Sequence, residues 1–358
     1  MFTVTAVTLS PVFRSEAAIE ALRAEGVWDR MQEASVAQRN AVQRVRADLP
    51  HVLDGRFLRD APGAGAEGAV PLEFVQEFFF LIFFRSVLES AGVQRGALDL
   101  YSELNFCIKG TITAADNLFD DQQKALLPLV ASAGPRFSSI LQLIAFQRLT
   151  QRVFDRGIHA ALVSARDADR IQRELLSRMA AIGMLEGSEE EGVEDVLEVD
   201  EMVERVHRVR GGALFELGFV APACLEGPEL QGTMARVEKA ISRLGTAFQM
   251  VDDLTDVEFD VGHGRQNLLV AQVHHHGNPD ERAALLRVRE SRTAPKGVVE
   301  TLFLESARAV LDRAHVEARG SLDELHALGF WFPPALSDQL VRAIVGLDGV
   351  TMMKALTR

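Results

Sequence analysis

The chain of 358 residues is 47% hydrophobic and 25% charged, enough apolar content for a large buried core and a charge content that excludes wholesale disorder. Its net charge of −13, with no Lys/Arg-rich stripe, excludes nucleic acid as the main partner. Two cysteines, Cys107 and Cys224, offer neither a disulfide framework nor a metal-site spacing, so a reduced cytoplasmic protein is expected.

The first residues, MFTVTAVTLSPVFR, carry no basic residue before Arg14 and no long apolar core, unlike a secretory leader. Residues 15–48 read as one or two polar amphipathic helices. A Pro/Gly/Ala linker follows at 60–71, DAPGAGAEGAVP. It contains a literal G-x-G-x-x-G at Gly63, Gly65 and Gly68, but Pro62 and Pro71 flank it and no strand precedes it, so it reads as a flexible linker and not as a dinucleotide site. Residues 1–71 are therefore expected to form a helical extension with its linker, and 72–358 one helical domain. The run FFFLIFF at 78–84 falls far short of the ~20 residues that span a bilayer and predicts a buried helix segment in a chain that does not span a membrane.

Helical periodicity continues over roughly 72–92, 98–123, 137–156, 158–185, 200–225, 229–258, 297–318, 320–328 and 334–346. Nothing reads as a repeat or a sheet, so the fold class is all-α. The acidic stretch 186–204 lacks an apolar stripe in its first half and predicts a solvated loop leading into a helix N-terminus. Three consecutive histidines, His274 to His276, point 100° apart on a helix and cannot converge on one metal; they predict a surface or loop feature.

Two acidic clusters stand apart. In KGTITAADNLFDDQQK (109–124), Asp116 and Asp120 lie four apart on one helix face, with Asn117 and Asp121 beside them. Steps of four backward reach Ile112, Ile108 and Leu104. In GTAFQMVDDLTDVEFD (245–260), Ile241, Leu244 and Phe248 lead by threes and fours into Asp252 and Asp256, with Asp253 adjacent. In both, carboxylates continue the apolar stripe, allowing ~40° of drift per four-residue step. A carboxylate at the rim of an apolar interior is expensive unless it is paired or metal-bound. Two such clusters could hold Mg²⁺, whose charge would let an acidic site attract an anionic diphosphate.

These residues resemble a known family. FQMVDDLTD looks like the second aspartate-rich motif of the trans-prenyl diphosphate synthases, F-Q-x-x-D-D-x-x-D, and ADNLFDD resembles the first, D-D-x-x-D, with Asn117 in place of its second Asp. VHRVRGGALFELGF (206–219) is similar to the helix that carries a Lys-Thr pair in that family, with Arg210 and Gly211 at the pair. The resemblance covers about residues 72–270. It implies the class I isoprenoid synthase superfamily: a helical bundle around a central apolar cavity, binding three Mg²⁺ and an allylic prenyl diphosphate of about ten to twenty carbons, with a homodimer as a possible assembly. The metal ligands implied are Asp116, Asp120 and Asp121 with Asp252, Asp253 and Asp256; all but Asp121 also stand as catalytic. Substrate contacts are expected from Arg208, Arg210, Gln249, Arg265, Asn117, Thr111, Ile112, Phe215 and Phe248, with Phe80, Phe83 and Phe84 as further candidates for an apolar lining.

The departures set the expected activity. Chain-elongating members carry G-G-K-R-x-R-P before the first motif and R-R-G after it, cations for the isopentenyl diphosphate. Here the upstream helix carries only Arg85, and Lys124 and Arg136 follow without paired arginines. The expected function is thus a terpene cyclase that ionises one allylic diphosphate. Chain elongation is the alternative, and a non-catalytic subunit, suggested by Asn117, is the second. The pair Gly211 and Gly212 reads equally as a helix break beside a diphosphate or as a close helix crossing.

Overall fold

The computed structural model describes residues 15–59, 70–119, 124–130, 134–193, 195–343 and 347–357. Among these no strand forms, and an isolated antiparallel bridge joins Leu58 to Leu129. In chain order the helices are α1 (Glu16–Ala24), α2 (Val27–Ala47), α3 (Leu49–Val52), α4 (Leu72–Ser90), α5 (Arg95–Phe119), α6 (Pro135–His159), α7 (Ala165–Ser188) and α8 (Val199–Met202), which runs into a π-helix, Val203–Gly212. Then come α9 (Ala213–Glu216), α10 (Val220–Leu225), α11 (Pro228–His263), α12 (Leu268–His276), α13 (Pro279–Ser291), α14 (Val298–Leu302), α15 (Leu304–Ala327), α16 (Ser337–Ala343) and α17 (Leu347–Leu356). The protein is all-α, as its periodicity predicts. The linker glycines Gly63, Gly65 and Gly68, and the acids Asp120 and Asp121, lie outside the described residues.

Two compact units divide the chain. Of the described residues, the first holds those within 26–171 and 224–226; the second holds those within 15–25, 172–223 and 227–357. In the first, α2 packs on α4 and α5, and α5 packs along α6. The FFFLIFF run is the buried heart of α4: Phe78, Phe79, Leu81, Ile82, Phe83 and Phe84 are all buried. The helix is interrupted at Phe78 (φ −111°, ψ 17°). Beside this kink the Lys109 ammonium donates to the Glu77 carbonyl at 2.7 Å and lies over the Phe78 ring, so a side chain supplies the partner that a distorted helix leaves wanting.

In the second unit α11 is the central rod, packed against α15 and the π-helix. Its ends follow helix chemistry. Pro228 occupies the first turn, and Gly264 closes the C-terminus at φ 70°, where a side chain is disfavoured. Helices α12 and α13 are among those not expected from periodicity. The Asn267 side chain caps α12 by accepting from the Leu269 and Val270 amides, and a capping box of Asn278 with Glu281 starts α13. His274 to His276 therefore form the last turn of a helix and not a loop, with His274 and His276 exposed as surface residues. The segment expected as one helix over 158–185 begins instead at Ala165, because the Ser164 hydroxyl accepts from the Asp167 amide and starts α7 there. No helix among the described residues is long and apolar enough to cross a membrane.

Candidate active site

Burial falls along α5 as the apolar stripe approaches the first acidic motif. Leu104 is 1% exposed and Ile108 8%; Ile112 is half-buried and Asp116 exposed. A rim carboxylate above an apolar interior is what the spacing predicts. Thr111 is half-buried, and its hydroxyl donates to the Cys107 carbonyl. Asn117 is buried, and its carboxamide is used at both ends: Nδ2 donates to the Lys124 carbonyl at 2.6 Å, and Oδ1 accepts the Lys124 amide at 2.9 Å. It clasps the chain that follows the motif. Phe83 and Phe84 are buried in edge contact with each other, and Phe80 is half-buried against Phe84.

In the same unit two cations from distant stretches, Arg46 and Lys109, act on one carboxylate, Glu77, and Lys124 lies near Lys109. Burial raises the Glu77 carboxyl, and Lys109 and Arg46 oppose that rise. Burial pushes the Lys109 ammonium down to about 8, with Glu77 opposing and Lys124 adding to the fall. Arg46 donates to the Leu126 carbonyl at 2.7 Å, while its Nε is buried without a partner. Arg85, the cation of the upstream helix, is consumed internally by Asp99 at 3.1 Å, the Leu98 carbonyl and the Ser102 hydroxyl.

In the second unit the same gradient runs along α11. Ile241 and Leu244 are fully buried, Phe248 and Asp252 half-buried, and Asp256 exposed. Phe215 stacks on Phe248 with centroids 5.7 Å apart. Asp253 has another situation altogether: it is 2% exposed. One oxygen faces His207 Nε2 at 2.9 Å and accepts the Leu268 amide at 2.5 Å; the other accepts from Gln249 at 3.2 Å. Burial pushes this carboxyl up, but His207, the Leu268 amide and Arg210 outweigh it and hold it below its ordinary range. Gln249, expected at the substrate, is thus occupied by Asp253.

Arg210 is paired with Glu186 at 2.5 Å and Glu189 at 3.0 Å. This corrects the expectation of a solvated acidic stretch: Glu189 is 3% exposed and also accepts the Gln266 amide. Its value was hidden because its partners lie far along the chain. Arg208 pairs with Glu204, and the Arg265 guanidinium lies over the Phe259 ring at 5.0 Å. The question of the glycine pair resolves as a close crossing within a π-helix. A Cβ on Gly211 would lie 2.3 Å from the Gly245 carbonyl, and one on Gly212 2.9 Å from the Ser242 hydroxyl.

Asp252 and Asp256, four apart on one helix, offer the hard oxygen donors that a divalent ion takes. Among the described residues, however, no three His, Cys, Asp or Glu side chains are grouped to hold a metal. The donor chemistry fits at Asp116, Asp252 and Asp256. It does not fit at Asp253, whose oxygens are taken.

The architecture is that of the class I isoprenoid synthases, a helical fold with an acidic motif closing each of two apolar stripes. Solved structures share the helical fold. Geranylgeranyl pyrophosphate synthetase from Pyrococcus horikoshii Ot3 matches with a TM-score of 0.57 at 15% identity, covering 94% of this chain and 99% of that one. A decaprenyl diphosphate synthase from Rhodobacter capsulatus matches at 0.59 and 18%, covering 87% and 97%. A polyprenyl synthase from Caulobacter crescentus CB15, complexed with calcium and isoprenyl diphosphate, matches at 0.57 and 16%, covering 88% and 97%. No family model matches the chain, and no curated protein does. At these identities the likeness is one of fold.

Proposed function

We propose that the protein is a prenyl diphosphate synthase that joins an allylic prenyl diphosphate to isopentenyl diphosphate. The observation that carries this reading is that Arg46 of α2 and Lys109 of α5 meet at Glu77, with Lys124 near Lys109. The expectation of a cyclase rested on a shortage of counter-charge for a second diphosphate, and the meeting of Arg46 and Lys109 at one place supports a second diphosphate site. The fold neighbours, named as geranylgeranyl, decaprenyl and polyprenyl synthases, support the same choice.

In this reading the allylic C–O bond breaks, diphosphate leaves with the bonding pair, and the allylic cation is attacked by the double bond of isopentenyl diphosphate, which then loses a proton. A divalent ion, when bound, supplies the positive charge that stabilises the departing diphosphate. Asp116, with Asp120 and Asp121, in the first unit, and Asp252 with Asp256 in the second, are the side chains that would each offer such an ion oxygen ligands. Arg46, Lys109 and Lys124 bind the second diphosphate as point charges and a guanidinium fork. Phe215 and Phe248 offer ring faces that tolerate a cation without trapping it. Asn117 does not suggest a defunct subunit, because it has a structural task as the clasp on Lys124.

Cyclisation remains as the second reading because Arg85 is spent on Asp99 and Ser102. Asp116→Ala and Asp252→Ala test the shared chemistry: each is expected to lower diphosphate release from an allylic substrate by about 10²-fold or more, as the loss of a group stabilising developing charge does. Unchanged release in both would refute it.

A further inference from the structure

His207 lies in the π-helix with 0% of its surface exposed. A buried imidazole needs a partner at each nitrogen. Nδ1 faces the Met202 carbonyl at 3.2 Å, and Nε2 faces Asp253 at 2.9 Å across 46 residues of sequence. Both partners are acceptors, so the ring donates to both only when doubly protonated and to one when neutral; in either case its two nitrogens are oriented between the Met202 carbonyl and Asp253. Asp253 in turn receives the first amide of α12 at Leu268. Asn267 reinforces the junction by donating to the Asp253 carbonyl and to Asp260, each at 2.8 Å. The π-helix, α11 and the start of α12 thus meet at one carboxylate.

We infer that His207 and Asp253 form a positioning pair that latches α12 and the π-helix to α11, leaving Asp252 and Asp256 as the carboxylates of the second motif that face a metal ion. The metal part of this inference rests on the proposed function; the latch does not. Asp253 cannot serve both roles. Its Oδ2 already accepts from His207 and the Leu268 amide and its Oδ1 from Gln249, so a cation at Oδ2 would have to displace a buried ring and a backbone amide, and one at Oδ1 the Gln249 carboxamide. The pair is no general base for the reaction either, since His207 has no exposed atom from which to reach a substrate. Its effect passes through the helix: the turn that carries Asp252 and Asp256 is held in rotation by Asp253 pointing inward between them.

Two measurements on the full chain test the inference. The first is amide hydrogen exchange of residues 266–270 in EDTA. His207→Leu is expected to speed exchange there more than tenfold relative to the wild type, while His207→Gln, which keeps a donor toward Asp253, restores it to within a few fold. Unchanged exchange in His207→Leu overturns the latch. If His207→Leu does not fold, the comparison passes to His207→Gln and Asp253→Ala, and unchanged exchange in Asp253→Ala overturns the latch equally. The second is calorimetric titration of inorganic diphosphate in the presence of Mg²⁺. Asp252→Asn and Asp256→Asn are expected to lose binding, and Asp253→Asn and His207→Gln to weaken it by no more than the 10- to 100-fold typical of an indirect partner. Loss in Asp253→Asn equal to that in Asp252→Asn overturns the assignment and makes Asp253 a ligand. A wild type that binds no diphosphate with Mg²⁺ refutes the metal part together with the proposed function, and the exchange measurement still decides the latch.

Discussion

Gly211 and Gly245 meet backbone to backbone: a Cβ on either would lie 2.3 Å from the carbonyl oxygen of the other. The π-helix crosses α11 here, one turn from Phe248 and two from Asp252, so this contact sets how closely Arg210 and the second acidic motif approach. Because the obstructing atoms are backbone, they cannot swing aside. Gly245→Ala is expected to destabilise the protein by at least about 2 kcal/mol, the scale of overpacking a core. Gly232, in the same helix with nothing within 4 Å, is the control: Ala there is expected to stabilise by about 1 kcal/mol through helix propensity. Urea denaturation of the two variants measures both signs.

Asn117 predicts the outcome of restoring the acidic residue that the resembling motif carries. In Asn117→Asp the carboxylate can still accept the Lys124 amide, but it faces the Lys124 carbonyl with no donor. A loss of about 1–3 kcal/mol is expected for the unsatisfied pair, with no gain in rate. Thermal unfolding and diphosphate release check the two halves. A faster, equally stable variant would mean that position 117 is a deficient metal ligand.

Asp260 gives a pH dependence with a definite sign. Burial, with the charges of Asp253 and Asp256, holds its carboxyl well above the ordinary range even though Asn267 donates to it. A raised folded-state value means that this group's contribution to stability is full below its unfolded pKa and is lost as pH rises through the folded value. Asp260→Asn removes the loss. In EDTA its Tm is expected to exceed the wild type's at about pH 8 and to converge with it toward about pH 4. A constant difference across that range would contradict the assignment.

Arg46→Gln and Lys109→Met test the cation cluster. Each removes a charge-assisted contact worth about 1.5–3 kcal/mol, so KM for isopentenyl diphosphate is expected to rise about tenfold or more, with KM for the allylic substrate nearly unchanged. Equal effects on both substrates would assign the cluster to folding alone.

Much of this was legible before any coordinates. The steps of three and four through Leu104, Ile108 and Ile112, and through Ile241, Leu244 and Phe248, predict two helices whose buried stripes end in acids, and the exposures follow that order. The FFFLIFF segment is buried as its composition requires. What was not legible depends on contacts distant in sequence. Nothing near Glu189 announces Arg210 or the Gln266 amide, and nothing near Asp253 distinguishes it from Asp252 until His207 is placed. The cations Arg46 and Lys109 sit on different helices, so a count along the chain does not show that both reach Glu77. The start of α13 is a different case. The Asn278 and Glu281 capping box is written in the sequence.

The most direct measurement is product analysis by mass spectrometry after incubation of the protein with Mg²⁺ and farnesyl diphosphate, with and without isopentenyl diphosphate. The account predicts longer prenyl diphosphates only when both substrates are present. Hydrocarbons or alcohols formed from farnesyl diphosphate alone would contradict it and establish cyclisation as the reaction.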